Sequence, residues 1–147
     1  MTNAGSALDE ATELLRFTGT RIAVVGASNH PSKYGNIIVK NLVSHGYQVL
    51  PVNPKEATIA GLRAYRSLAD VPKPIDIVDV VTPPEVTRTI LKDAAAAGCG
   101  LVWLQDGSFD DGILLNAEAA PFKTVHHACI MVVARTAAPR APRAERS

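Results

Sequence analysis

RIAVVG (21–26) is the stretch that decides the fold. Ile22, Val24 and Val25 are β-branched, no polar residue alternates with them, and Gly26 stops the run. Unbroken apolar runs of this length read as strands covered on both faces, the habit of parallel sheets. Working outward, a polar loop from Ala27 to Ser32 leads into a helix opening near Ser32. Its Ile37, Ile38, Leu42 and Val43 are expected to face inward, and Gly46 closes it. Further strands are predicted at YQVLPV (47–52), IDIVDVV (75–81) and LVWLQ (101–105), with a weaker fifth at FKTVHH (122–127). Between the third and fourth lies the clearest helix start, Thr82-Pro83-Pro84-Glu85, which reads as a hydroxyl N-cap, proline at N1 and glutamate at N3. Val86, Ile90, Leu91, Ala94 and Ala97 follow at helical spacing before Gly98.

Strand and helix alternate throughout, which predicts right-handed βαβ units in one α/β domain. The expected fold is a Rossmann-like open parallel sheet of about five strands flanked by helices. Residues 1–19 carry Leu8, Ala11, Leu14 and Leu15 at helical spacing and predict a helix packed on the domain, ended by Gly19. The domain itself spans 20–134. The remainder, RTAAPRAPRAERS (135–147), has nothing to bury and is expected to be disordered. Two connections are irregular. Residues 54–74 hold Gly61, Pro72 and Pro74, with one helical turn expected at SLADV (67–71). Residues 106–121 hold Asp110, Asp111 and Gly112, then a short helix around Leu114–Ala119.

Composition narrows the function. The chain has 147 residues, enough for one domain, with 47% hydrophobic and 20% charged residues. Fifteen Lys and Arg against 14 Asp and Glu give a net charge of +1, so no global basic field argues for nucleic acid. No run is long enough to span a membrane. The polar, early-acidic MTNAGSALDE does not read as a secretory signal. Two cysteines, Cys99 and Cys129, are too few for a disulfide framework. A reduced, cytoplasmic setting is expected.

An open parallel sheet binds ligands outside the carboxyl ends of its strands. Those ends carry GASNHPSKYGN, NPK, TPPEV and QDG. The first has a single glycine at its turn, Gly26, then Ala27 and Ser28. It lacks the G-x-G-x-x-G spacing, but small residues still let a phosphate approach the backbone. The following helix offers free N–H groups and the positive end of its dipole, and Lys33 adds charge beside Tyr34. Dinucleotide enzymes that use NAD place Asp or Glu after the second strand to hold ribose hydroxyls. Asn53-Pro54-Lys55 stands there instead. A lysine suits an added phosphate, as in NADP or coenzyme A. Thr82-Pro83 can cap its helix and also lie against an adenine or ribose. Trp103 reads as core, and Gln105, at a strand end, as a polar group for the cleft. His126, His127 and Cys129 make only a partial metal set, with no second cluster. His30 and His45 read as loop and helix-end residues.

Together, RIAVVGAS, KYGNIIVKNLVSHGYQVLPVNPK, IAGLRAYRSLADVPKPIDIVDVVTPPE, GCGLVWLQDG and HHACIMV resemble the small stand-alone CoA-binding domain proteins across residues 20–133. That family is similar to the N-terminal domain of the succinyl-CoA synthetase α subunit. The resemblance implies CoA contacts at Gly26, Ala27 and Ser28, at Asn53, Pro54 and Lys55, and at Val81, Thr82 and Pro83. The synthetase's phosphorylated histidine lies in a further domain, so ligase chemistry does not transfer. The segment SFDDGILLNAEAAPFKTVHHAC departs from the family, which carries a fuller helix there and an Asp/Asn-Arg-Cys run.

The leading expectation is therefore binding of coenzyme A or an acyl-CoA without catalysis, as a carrier, sensor or regulatory protein, since no nucleophile or acid–base constellation stands out. The alternatives are an NADP-linked or other nucleotide-using enzyme, and an interaction module with a vestigial pocket. Nucleic acid and membrane are not expected partners.

Overall fold

The computed structural model describes residues 4–142 of the chain. Five parallel strands form the main sheet: β1 (Arg21–Val25), β2 (Gln48–Val52), β3 (Ile77–Val80), β4 (Leu101–Leu104) and β5 (Lys123–His126). Their order is β2-β1-β3-β4-β5, so the chain reverses its direction of travel between β1 and β3. That is the doubly wound α/β arrangement, and its switch point sits where β1 and β3 end side by side. Pro51 falls within β2, which is tolerable because β2 is an edge strand.

Both faces of the sheet are covered, as the apolar runs require. Ile22, Val24, Ile77, Leu101, Trp103 and Val125 face α1 (Ala4–Leu14), α2 (Tyr34–Ser44) and α5 (Ile130–Ala137). Their alternates Ala23, Val25, Val78, Val80, Val102 and Leu104 face α3 (Pro84–Ala96), α4 (Asp111–Glu118) and the one-turn helix Leu68–Asp70. That turn lies within the predicted SLADV stretch. Trp103 is wholly buried, its indole N–H donating to the Ala128 carbonyl at 2.8 Å, as a core tryptophan should.

The helices differ from expectation in detail. Ile37 and Val43, expected inward, are 44% and 43% exposed. The buried arc of α2 runs Gly35, Ile38, Val39, Leu42 at i, i+3, i+4 and i+7. It begins on a residue without a side chain, so a reading of apolar spacing started it too late. Val86 of α3 is likewise exposed, and Thr87 takes the inward place. The start of α3 is one residue later than expected: Pro83 is the N-cap and Pro84 occupies N1, with no side-chain cap. The cause is steric, because a residue preceding proline is pushed to extended backbone, and Pro83 has ψ 156°.

The N-terminal helix ends at Leu14 rather than at Gly19, and Phe17–Thr18 pairs in parallel with Ala141–Pro142. The segment expected to be disordered from 135 thus begins inside α5, and Arg140 N–H donates to the Arg16 carbonyl. Residues 143–147 of that segment lie outside the described residues, as do residues 1–3 of the stretch expected to hold the N-terminal helix.

Candidate functional site at the switch point

At the end of β1 the backbone turns through Gly26, whose φ is 98°. A Cβ here would lie 3.0 Å from the Val81 carbonyl carbon and 3.1 Å from Thr82, so only glycine lets the ends of β1 and β3 approach this closely. The next constraint is tighter. A Cβ on Gly35 would lie 2.1 Å from the Gly26 carbonyl oxygen, so α2 is seated with its first turn directly on the β1 turn. Between them, residues 27–33 form a loop pinned by amide side chains. Asn36 donates to the Ser28 carbonyl at 2.9 Å, and Asn53 donates to the Ala27 carbonyl at 2.9 Å. His30 N–H turns back to the Ser28 hydroxyl, and the His30 ring meets Ser32.

With the loop carbonyls held this way, the N–H groups of Ala27 and Ser28 have no partner among the described residues. The first N–H groups of α2, at Tyr34 and Gly35, lack intrahelical acceptors by construction. Lys33 is the N-cap, exposed and without a side-chain cap bond. Two sets of unpaired donors, a helix N-terminus and an ammonium group therefore share one mouth, an arrangement that favours an anion.

β2 ends beside this loop. Asn53 uses both ends of its amide, donating to Ala27 and accepting from Lys55 N–H at 2.8 Å, which turns Lys55 outward at the rim. The outer edge of β2 is covered by the segment around Tyr65, which donates from its N–H to Pro51 and accepts from Asn53 N–H. Beside this turn lies a cavity of about 360 Å³ bordered by Pro54, Lys55, Glu56, Arg63 and Arg66. On the other flank, Val81 N–H donates to Val25, and Thr82 is buried with its hydroxyl 2.8 Å from that of Thr87. Thr87 also donates toward the Thr82 and Pro83 carbonyls, which fixes the backbone where Pro83 is exposed.

A family described as CoA binding domain matches residues 20–135. The chain belongs to that family. Among curated relatives, an uncharacterized protein YneT of Bacillus subtilis is 33% identical over 110 residues, which is 75% of this chain and 76% of that protein. The α subunit of an ADP-forming acetate–CoA ligase II of Pyrococcus furiosus is 35% identical over 98 residues, but these cover only 21% of the subunit. Among solved structures, a hypothetical protein of Pyrococcus horikoshii superposes with TM-score 0.80 at 32% identity, over 92% of this chain and 95% of that one. A conserved hypothetical protein of Pyrococcus furiosus gives TM-score 0.74 at 45% identity, over 76% of this chain and 97% of that one.

In this CoA-binding domain the three predicted groups, Gly26-Ala27-Ser28, Asn53-Pro54-Lys55 and Val81-Thr82-Pro83, do converge on one crevice, with Lys33 and Tyr34 at its α2 side. Gln105 does not reach it. Gln105 is 1% exposed, because Ser108 closes a turn onto its carbonyl, and its amide donates to Asp79 at 2.6 Å. Asp79 is fully buried on β3; burial pushes its carboxyl up to about 7, against the opposing pull of the Gln105 hydrogen bond. One oxygen of each side chain has no partner among the described residues. Tyr34 hydroxyl meets the Cys129 thiol at 3.1 Å, and its pKa is raised by burial first and by Cys129 next. Cys129 is the N-cap of α5. His126 and His127 face each other at 2.6 Å between ring nitrogens, beside Phe109. Burial, then His127, lowers the His126 pKa.

Apolar spacing missed the residues that shape the crevice rather than line it, namely Asn29, Gly35, Asn36 and Thr87, together with Arg63 and Arg66. Gly35 did leave a signal: a glycine in a helix's first turn commonly marks a close backbone approach. A larger hollow of about 450 Å³, among Thr12, Arg16, Thr136 and Arg140, lies between the C-terminal ends of α1 and α5, and no carboxyl end of a main-sheet strand borders it.

Proposed function

We propose that this domain binds coenzyme A or an acyl-CoA across the carboxyl ends of β1, β2 and β3, and that it does so without chemistry of its own. The observation that carries the reading is the convergence of unpaired loop N–H groups, the α2 N-terminus and the Lys55 rim at the switch point. A pyrophosphate suits the β1 loop, since glycine and alanine leave its backbone open and the helix dipole favours negative charge. Lys55 stands where the ribose of a bound nucleotide lies in this fold class, and it replaces the acidic residue that a free diol requires. Family membership and the ligase relatives favour CoA over NADP as the ligand. The ligases' own activity concerns proteins of which this chain spans a small part. Asp79, the carboxylate with the raised pKa, is fully buried and hydrogen-bonded by Gln105, which supports a structural role for it and binding over catalysis.

Thermal unfolding with CoA, acetyl-CoA, NAD and NADP tests the reading. Ligand at about 100 times its dissociation constant adds roughly 2.7 kcal/mol, worth several degrees for a domain of this size. The expected outcome is a rise with CoA or acetyl-CoA and none with NAD or NADP. A rise with NADP alone replaces the reading with a nucleotide-using enzyme, and no rise with any of the four leaves an interaction module.

A further inference from the structure

The excursion between β2 and β3 gathers positive charge that the fold itself does not use. Thr58–Ile59 and Leu62–Arg63 form a two-stranded antiparallel hairpin whose turn residues, Ala60 and Gly61, have φ of 50° and 80°. Positive φ at both central positions is the hairpin-turn conformation that keeps such strands paired. Asn29, from the loop after β1, clasps the hairpin by donating to the Thr58 carbonyl at 2.7 Å and accepting from Ala60 N–H at 3.1 Å. The hairpin is therefore held against the proposed phosphate loop. Ala64 N–H donates back to Ala57 at 2.9 Å, and Tyr65 is bonded to the end of β2 on both of its backbone groups. Arg63 lies with its guanidinium 5.2 Å from the centre of the Tyr65 ring. Arg66 follows directly.

These constraints bring Lys55, Arg63 and Arg66 to one cavity of about 360 Å³. All three are exposed, and none has an ion-pair partner among the described residues, where the pairs are Arg16 with Glu13, Arg88 with Asp110 and Lys123 with Glu10. The cavity's single carboxylate, Glu56, receives the Asn29 amide at 3.2 Å. Three cations facing one carboxylate repel one another until an anion enters. Two planar guanidinium forks with an ammonium group match the three oxygens of a phosphate monoester better than a carboxylate, which offers two.

We infer that Arg63 and Arg66 complete, with Lys55, a pocket for a phosphate monoester carried on a ligand's ribose. The inference rests on the proposed nucleotide site, since the end of β2 is where a ribose comes to lie in this fold class. It adds the claim that the phosphate is selected by residues of the hairpin excursion. CoA and NADP both carry such a group, and dephospho-CoA and NAD lack it.

The test is calorimetric titration of the full chain and of its Arg63→Gln/Arg66→Gln variant, Lys55 being intact, with CoA, dephospho-CoA, NADP and NAD. Wild type is expected to bind CoA at least roughly tenfold more tightly than dephospho-CoA, because the charge-assisted contacts of Lys55, Arg63 and Arg66 are all lost with the phosphate. The variant is expected to lose most of that preference while its affinity for dephospho-CoA stays within about twofold. Both arginines are exposed, so a folded variant melts near wild type, and Arg66→Gln alone carries the same comparison should the double variant unfold. Equal binding of CoA and dephospho-CoA by wild type overturns the pocket and leaves the CoA reading standing. Preference for NADP over NAD without CoA binding, abolished in the variant, upholds the pocket and overturns the CoA reading. A variant that keeps wild-type discrimination, or loses both members of a pair equally, overturns the pocket, and a wild type that binds none of the four overturns both.

Discussion

Replacing Gly35 by alanine separates the seat of the crevice from its walls. The added Cβ falls 2.1 Å from the Gly26 carbonyl oxygen, 3.0 Å from the Gly26 carbonyl carbon and 3.1 Å from the Ala27 Cα. All three are backbone atoms, so no side chain can swing aside. Ordinary contact begins near 3.4 Å, and the start of α2 must therefore lift from the β1 turn by about an ångström. Overpacking of this kind costs roughly 1–3 kcal/mol. Alanine's better helix propensity offsets little of it at the second residue of a helix. A net loss of about 2 kcal/mol lowers the melting temperature by roughly 5 °C in a domain of this size. The control is Gly100→Ala, where no atom lies within 4 Å of the new Cβ and φ is not positive. That variant should stay within about 0.5 kcal/mol of wild type. The same displacement moves the Ala27 and Ser28 N–H groups relative to the helix terminus, so CoA titration should weaken alongside the melting temperature. Gly35→Ala melting with Gly100→Ala would refute the contact as the reason for glycine here.

Three further outcomes follow from other parts of the molecule. Asp79 has a folded value near 7 against an ordinary 3.8, so the native state keeps a proton that the unfolded chain releases. Its stabilising contribution is full below about pH 4 and lost as pH rises toward 7; urea midpoints for Asp79→Asn should lose less over that range, and parallel profiles would overturn the burial argument. Trp103→Phe leaves the Ala128 carbonyl without its 2.8 Å donor and opens space in a fully buried site, costing about 2–4 kcal/mol in chemical unfolding; a midpoint shift under a quarter of that would show the core closing around the gap. Lys55→Ala should weaken CoA severalfold and dephospho-CoA little, measured by titration, and equal losses would remove Lys55 from the ribose phosphate.

The central strands were legible because they are written as largely apolar runs. Residues 22–25 and 101–104 are wholly apolar and residues 77–80 are broken only by the buried Asp79, and each run lies between two packed layers, so neither face demanded alternating polarity. β2 was found in spite of Pro51 because an edge strand can spare that N–H. The helix faces were less legible. On α2 the decisive inward residue is Gly35, which carries no hydrophobic signal, and the exposed Ile37 and Val43 mimic a core stripe. On α3 two consecutive prolines shift the start by one residue, an effect of backbone sterics that a capping pattern does not register. Gln105 was placed in the cleft because it ends a strand, yet a turn closed by Ser108 buries it against Asp79. The position of a polar group along a strand says where its backbone lies, whereas its burial depends on what the following loop folds over it.

A common framework and a particular ligand are thus set by different residues. Gly26, Gly35, Asn36 and Asn53 hold the β1 loop so that the Ala27 and Ser28 N–H groups have no partner among the described residues, and in the proposed site any nucleotide with a pyrophosphate would meet that feature equally. Selection has to come from groups that see the rest of the ligand. At the end of β2, the groups proposed for that role are Lys55 and the two arginines carried at the end of and just after a hairpin that is no part of the main sheet. A segment outside the sheet can change its charges without disturbing the strands that position it, since Asn29 and the backbone of Tyr65 hold it in place whatever residues stand at 63 and 66. The domain's affinity for a phosphorylated ribose is accordingly expected to vary with those two positions while its fold does not, which is why the arginine variant and the Gly35 variant must fail in different ways: the first losing discrimination at an unchanged melting temperature, the second losing stability and binding together.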